Sequence, residues 1–127
     1  MIIEVRGEKV ILDAGLASIY GVPTRTLNQA IKRNADRFPP DFVFQLTLDE
    51  AQAVHRLRSQ TVILKRGHHI KYRPYAFTEY GAIMAANVLR SPRAIQMSVF
   101  VVRAFLKMRS ALKDTRTLAQ KLSALEQ

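Results

Sequence analysis

The spacing of apolar residues changes period several times along the chain, and each change marks an element. Ile2–Arg6 and Lys9–Leu12 read as two short strands joined at Gly7-Glu8, a glycine-containing hairpin loop. Asp13 can cap a helix that runs to about Tyr20, and Gly21 ends it. A second helix opens at Pro23 or Thr24 and runs to about Asn34, before Phe38-Pro39-Pro40-Asp41 stops it. In Phe42–Thr47, Phe42, Phe44 and Leu46 share one face and Val43, Gln45 and Thr47 the other, as in a half-buried strand. Thr47-Leu48-Asp49-Glu50 is a capping box and predicts a helix from Leu48 to about Arg58. Thr61–Leu64 is β-branched and reads as a strand, and Lys65–Lys71 as a basic loop. Tyr72–Phe77 reads as an extended segment that Pro74 confines to an edge or an irregular piece. Thr78-Glu79 opens a helix to Leu89 that is apolar nearly all round and so belongs in the interior. Ser91-Pro92, a capping hydroxyl before a first-turn proline, starts a last long helix.

Strands and helices mix, so the predicted class is α+β: a small antiparallel sheet, a helix-turn-helix and a long C-terminal helix. Residues 1–110 form the predicted domain. Residues 111–127 form an amphipathic helical extension, the start of a coiled coil or a linker. The abrupt amphipathic end suggests that a longer natural protein continues past Gln127.

The stretch from Asp13 to Arg37 carries the chemistry. With Gly21 as the turn, Ala17 sits where two helices approach, and Val22 packs inward. Leu27 and Ile31 line the buried side of the second helix, while Leu16 and Ile19 or Tyr20 supply that of the first. At about 100° per residue, Arg25, Asn28, Gln29 and Lys32 fall on the opposite, outer side, with Thr24, Thr26 and Arg33 flanking. Arg pairs bidentately with guanine, and Asn or Gln with adenine, in the major groove. Lys32, Arg33 and Arg37, towards the far end, suit phosphate oxygens. No acid interrupts the chain between Asp13 and Asp36, which separates this face from an ordinary solvated one.

Charge widens the picture. Twenty Lys and Arg against ten Asp and Glu give a formal net charge of +10 over 127 residues, a balance that attracts polyanions. The chain has no cysteine, so disulfides and thiolate metal sites are excluded. The acid-bearing start lacks an apolar signal core, and no apolar run approaches the roughly 20 residues of a membrane span. A cytoplasmic, membrane-free protein is expected. Between Glu50 and Glu79 there is again no acid, while Lys65, Arg66, His68, His69 and Lys71 crowd one loop. A β-loop of this kind in a winged helix-turn-helix grips backbone or minor groove. Adjacent histidines diverge in a strand and have no third ligand nearby, so no metal is expected. The acids are scattered and the five glycines dispersed, so neither a catalytic constellation nor a phosphate-cradling loop is expected. No enzyme activity and no cofactor are expected.

Four blocks resemble a known family. They are Val22–Asn34; Arg37-Phe38-Pro39-Pro40-Asp41-Phe42-Val43-Phe44-Gln45-Leu46-Thr47; Arg73-Pro74-Tyr75-Ala76-Phe77-Thr78-Glu79-Tyr80-Gly81; and Leu89-Arg90-Ser91-Pro92-Arg93-Ala94-Ile95 with Arg103-Ala104-Phe105. In this order they are similar to the phage ORF-six-N domain, a relative of the KilA-N superfamily of phage antirepressors and large DNA viruses, over roughly residues 7–109. Tyr80 stands where the family often has Gln. The resemblance implies a DNA-binding domain with a helix-turn-helix beside a small sheet, often joined to other domains in phage regulators. It brings no operator and no catalytic residues. Phe38-Pro39 and Phe77-Thr78-Glu79 read as architectural.

From Pro92 to Arg109 the last helix shows two apolar stripes. Ile95, Val99, Val102 and Leu106 form one; Met97, Phe100, Val101, Ala104 and Met108 form another, almost opposite. One stripe serves the domain's own core. The second, continued by the heptad-spaced Leu118, Leu122 and Leu125, predicts a homodimer that presents two recognition helices to DNA. The expected partner is double-stranded DNA, read by helix 23–34 and gripped by loop 65–73. The alternative is a protein-interaction module of an antirepressor, bound to a repressor protein. RNA ranks lower, because the Phe and Tyr fall mostly at core-like positions and Trp is absent.

Overall fold

A computed structural model describes residues 1–58 and 72–125, the side chains of Arg58 and of 111–125 excepted. The order is β1 (Ile3–Val5), β2 (Glu8–Leu12), α1 (Asp13–Tyr20), α2 (Thr24–Arg33), a 3₁₀ turn at Ala35–Arg37, β3 (Val43–Gln45), α3 (Leu48–Arg58), β4 (Tyr75–Phe77), α4 (Glu79–Leu89) and α5 (Pro92–Leu125). The described strands form one antiparallel sheet in the order β1-β2-β4-β3, and the class is α+β.

The first hairpin turns at Arg6-Gly7, one residue earlier than expected. Both residues have positive φ (55° and 75°), and Val5 faces Glu8. A two-residue loop with left-handed backbone at both central positions matches the twist of the strands it joins. The Arg6 guanidinium then reaches both Glu50 carboxylate oxygens at 2.7 Å and lies over the Phe44 ring. Thr47 and Glu50 complete the expected capping box: the Glu50 N–H donates to Thr47 Oγ1 and the Thr47 N–H to Glu50 Oε1.

Both faces of the sheet are covered. Ile11, Phe77 and Val43 stand in register on one face and join Leu16, Tyr20, Leu27, Ile31, Ala82, Ala85, Val101 and Phe105 from the helices. On the other face Leu12, Ala76 and Leu46 pack with Val5, Val10, Ala51 and Val54 beneath α3. Phe42 departs from the alternation expected of 42–47. It precedes β3 and stacks on Tyr80. Of the two outcomes expected for the segment carrying Pro74, Tyr72–Pro74 takes the irregular one, and the strand that follows, β4, is central and not at an edge. It begins at Tyr75, so the missing proline N–H falls outside the ladder.

Thr78 caps α4, and its hydroxyl donates to the carbonyls of Asp41 and Phe42. At Gly81 a Cβ would stand 2.0 Å from the Phe42 carbonyl oxygen, so only glycine lets α4 lie this close to the chain entering β3. Tyr20, whose buried hydroxyl donates to the Ala82 carbonyl, ties α1 to α4; burial pushes its phenol pKa up.

α5 is unbroken from Pro92 to Leu125, so the expected boundary at 110 falls inside one helix. Its stripes are also the reverse of the assignment made for dimerisation. Val101 is 2% exposed and sits in the core with Ala94 and Phe105, and Met97 packs against them. Ala104 and Met108 are half-buried on the same side. Ile95, Val99 and Leu106 are left in solvent; among the described side chains of the stripe assigned to a partner, only Phe100, 57% exposed, is free. Both stripes are equally apolar, and periodicity does not say which one meets α1 and α4. Leu118, Leu122 and Leu125 have side chains outside the described residues. No helix among the described residues is long and apolar enough to cross a membrane.

Candidate nucleic-acid interface

α1 ends in a motif that fixes the angle to α2. Gly21 is left-handed (φ 72°), its N–H donates to the Ser18 carbonyl, and the Val22 N–H donates to the Ala17 carbonyl. Two orphan carbonyls of α1 are thereby satisfied within the turn. Leu27 and Ile31 are buried as expected, and Ala17 is buried at the crossing. At the far end the Asn34 side chain donates to the Ala30 carbonyl at 2.8 Å and closes α2.

The outer side of α2 borders a groove of about 470 Å³ lined by Ala14, Thr24, Arg25, Asn28, Gln29, Lys32 and Tyr72. Five of the expected contact residues are therefore brought together: Thr24, Arg25, Asn28, Gln29 and Lys32. Thr26, Arg33 and Arg37 are exposed but stand outside this groove, Arg37 on the 3₁₀ turn. Lys65, Arg66, His68, His69 and Lys71 lie outside the described residues, as does the strand expected at 61–64. The described chain resumes at Tyr72, beside α2.

Asn28 does not play the expected part. Its Nδ2 donates to Asp13 Oδ2 at 3.0 Å and to the Tyr72 hydroxyl at 3.1 Å. Its Oδ1 is buried and has no partner among the described residues. Reading adenine needs both atoms free and aimed outward. Asn28 is instead a strut, and the residues of the expected reading set left free in the groove are Thr24, Arg25, Gln29 and Lys32.

The strut ends on a residue that the sequence marks only as a cap. Asp13 does not cap α1 as expected: Leu12 holds the N-cap position with no side-chain cap hydrogen bond, and Asp13 is the first helical residue, fully buried. Its Oδ1 accepts the Ala14 N–H at 2.7 Å; its Oδ2 accepts from Asn28 Nδ2, the Tyr75 N–H at 3.2 Å and the Tyr72 hydroxyl. One carboxylate thus joins α1, α2, β4 and Tyr72. Partial burial first, and then the Asp13 carboxylate, push the Tyr72 phenol up to about 12, so it stays a donor at neutral pH. Asp13, the acid that precedes α2, turns its carboxylate inward, and the groove presents Arg25 and Lys32 to solvent with no acid in its described lining. Neither Asp13 nor Tyr72 was legible as a site residue. The available signal was an acid wedged between Leu12 and Ala14, a position where a solvent-facing carboxylate is unusual.

A further cavity, about 340 Å³, lies by the first hairpin. Glu8, Asp41 and Glu79 line it, and its Arg109 is bound to Glu79, so it does not suit a polyanion. Among the described residues no three His, Cys, Asp or Glu side chains come together in a way that could hold a metal ion.

No curated protein and no solved structure matches the chain. The family model of the ORF6N domain matches residues 1–88, the stretch from the first hairpin through most of α4. The match starts before the extent read from the motif blocks and stops short of Arg90-Ser91-Pro92 and Arg103-Ala104-Phe105, which lie on and around α5. It contains α1, Gly21, α2, Asp13 and Tyr72, and so every residue that lines the groove. The chain belongs to the ORF6N domain family.

Proposed function

We propose that this chain is the sequence-specific double-stranded DNA-binding domain of a phage- or prophage-type transcriptional regulator, with α2 seated in the major groove. The observation that carries the proposal is the groove beside α2, which gathers Thr24, Arg25, Gln29 and Lys32 around a lining free of acid. Arg25 and Gln29 have the donor and acceptor geometry that reads guanine and adenine. Lys32, with Arg33 and Arg37 beyond the groove, meets phosphates and sets the register. The activity is binding alone, with no chemistry on the duplex and no cofactor.

The test is duplex binding as a function of salt. Each phosphate contact contributes a slope of about −0.9 in log K against log[salt]. Arg25→Ala/Lys32→Ala should weaken binding at least tenfold and reduce the slope by roughly one to two, because both side chains point outward and carry no part of the core. A double variant that binds duplex as tightly as the parent refutes the proposal.

One observation favours an additional role as a protein-interaction module. Ile95, Val99 and Leu106 leave an apolar stripe on α5 about half exposed, where a self-contained domain would show polar residues. On this reading a second copy or a repressor-type protein covers it. Sedimentation at tens of micromolar separates the two: a dimer that Val99→Asp/Leu106→Asp dissociates supports self-pairing, and a monomer leaves the stripe for another protein.

A further inference from the structure

Among the residues lining the α2 groove, Tyr72 alone is aromatic, and it is 53% exposed. The side chain is held at its tip. The hydroxyl donates to Asp13 Oδ2 and accepts from Asn28 Nδ2, so its polar atom is already committed when DNA arrives. What remains to offer is one apolar ring, held at its tip, at the edge of a groove whose other described lining residues, Ala14 apart, are polar or basic in type. In the major groove the apolar feature that distinguishes base pairs is the C5-methyl group of thymine. A side chain already locked in place also forfeits little rotamer freedom on binding. The same clamp withdraws the Asn28 amide from the adenine edge, so the contact left where Asn28 and Tyr72 meet is an apolar one, which suits the thymine of an A·T pair.

We propose that Tyr72 is a specificity-determining residue of this interface, its ring packed on the methyl group of a thymine at the edge of the bound site. Asp13 and Asn28 act through it as positioning residues. The proposal rests on the DNA-binding reading above and adds to it a base, a position and a contact outside α2.

The test begins with a duplex selected by the parent protein from a random pool. Each dT in that duplex is replaced singly by dU, which removes the methyl group and nothing else. At one dT in each bound site the parent should lose about fourfold in affinity, the worth of one methyl-sized group buried from water. In Tyr72→Ala the ratio of dT to dU affinity at that position should fall to one, and in Tyr72→Phe, which keeps the ring, it should persist. A merely architectural Tyr72 would weaken both duplexes equally, leaving the ratio at its parental value in Tyr72→Ala, and that result overturns the proposal. So does a selected site in which no dT is sensitive.

If Tyr72→Ala fails to fold, 5-iodo-dU at the sensitive position decides the matter with the parent protein. Its iodine takes the place of the methyl group, and irradiation should link it to the peptide carrying Tyr72; a link to any other peptide overturns the proposal. Arg25→Ala/Lys32→Ala separates the two levels. If that variant loses affinity while the dT/dU ratio ignores Tyr72, the interface stands and the thymine contact falls. If that variant binds unchanged, or the parent binds no duplex at all, both fall together.

Discussion

Removing the Asp13 carboxylate tests whether one buried acid ties α1, α2 and β4 together. In Asp13→Ala the Asn28 amide, the Tyr75 N–H, the Ala14 N–H and the Tyr72 hydroxyl lose their acceptor. Tyr72 is half exposed and turns to water, and Ala14 lies in the first turn of a helix. The loss therefore concentrates on Asn28 and Tyr75. A buried donor left unpaired costs about 1–3 kcal/mol, so the two together cost about 2–6 kcal/mol. The partners of Asp13 among the described residues are all uncharged, and deleting the carboxylate relieves its desolvation, which offsets part of the loss. A net destabilisation of about 2–3 kcal/mol follows, a large share of the roughly 5–15 kcal/mol typical of a domain. Urea unfolding followed by circular dichroism should show the midpoint falling by about 1–2 M with an unchanged slope. Asp36→Ala, on the exposed 3₁₀ turn, is the control and should stay within about 0.5 kcal/mol of the parent. An Asp13→Ala protein as stable as that control would refute the role given to this junction.

Gly81→Ala should cost at least about 3 kcal/mol, because its Cβ would meet the Phe42 carbonyl and α4 would have to lift; a melting temperature within about two degrees of the parent refutes this. The Arg6 guanidinium holds the Glu50 carboxyl down to about 2, against roughly 4.3 in the unfolded chain. The unfolded chain binds the proton first, so this stabilisation is complete above about pH 4.5 and disappears as pH falls towards 2. Solvent screening limits it to about 1 kcal/mol, and Glu50→Gln should flatten the stability–pH curve over that window; an identical curve in both proteins refutes the assignment. Asn28→Ala should lower stability by about 1–2 kcal/mol and keep every base preference found by selection except that for the thymine assigned to Tyr72, whose ring it helps to hold. Gln29→Ala should do the reverse and relax one position by about 1–3 kcal/mol. The opposite pattern would restore Asn28 as a base reader.

Much of the frame was legible because its causes are local. The hairpin, the Gly21 turn, the Thr47–Glu50 capping box, the Thr78 cap and the Ser91-Pro92 start are each decided by residues within a few positions of one another, and each forms as expected except that the hairpin turns one residue early. The outward set of α2 was legible for the same reason, since helical period alone puts Arg25, Gln29 and Lys32 opposite Leu27 and Ile31. The errors share a different cause. That β4 is central, that α5 buries Val101 and frees Val99, and that Asn28 is spent on Asp13 and Tyr72 all depend on partners outside the local segment, for Asn28 15 and 44 residues away. Periodicity says that a helix has two apolar stripes but not which neighbour covers one of them. Residue type says that an amide can read adenine but not that a buried carboxylate 15 positions earlier has already claimed it. The sequence by itself determined most of the elements, several of their caps and a basic, acid-free helix; only the tertiary structure decided which of that helix's side chains remain free to meet a ligand, because hydrogen-bonding capacity is consumed by whichever group the fold brings within about 3.2 Å.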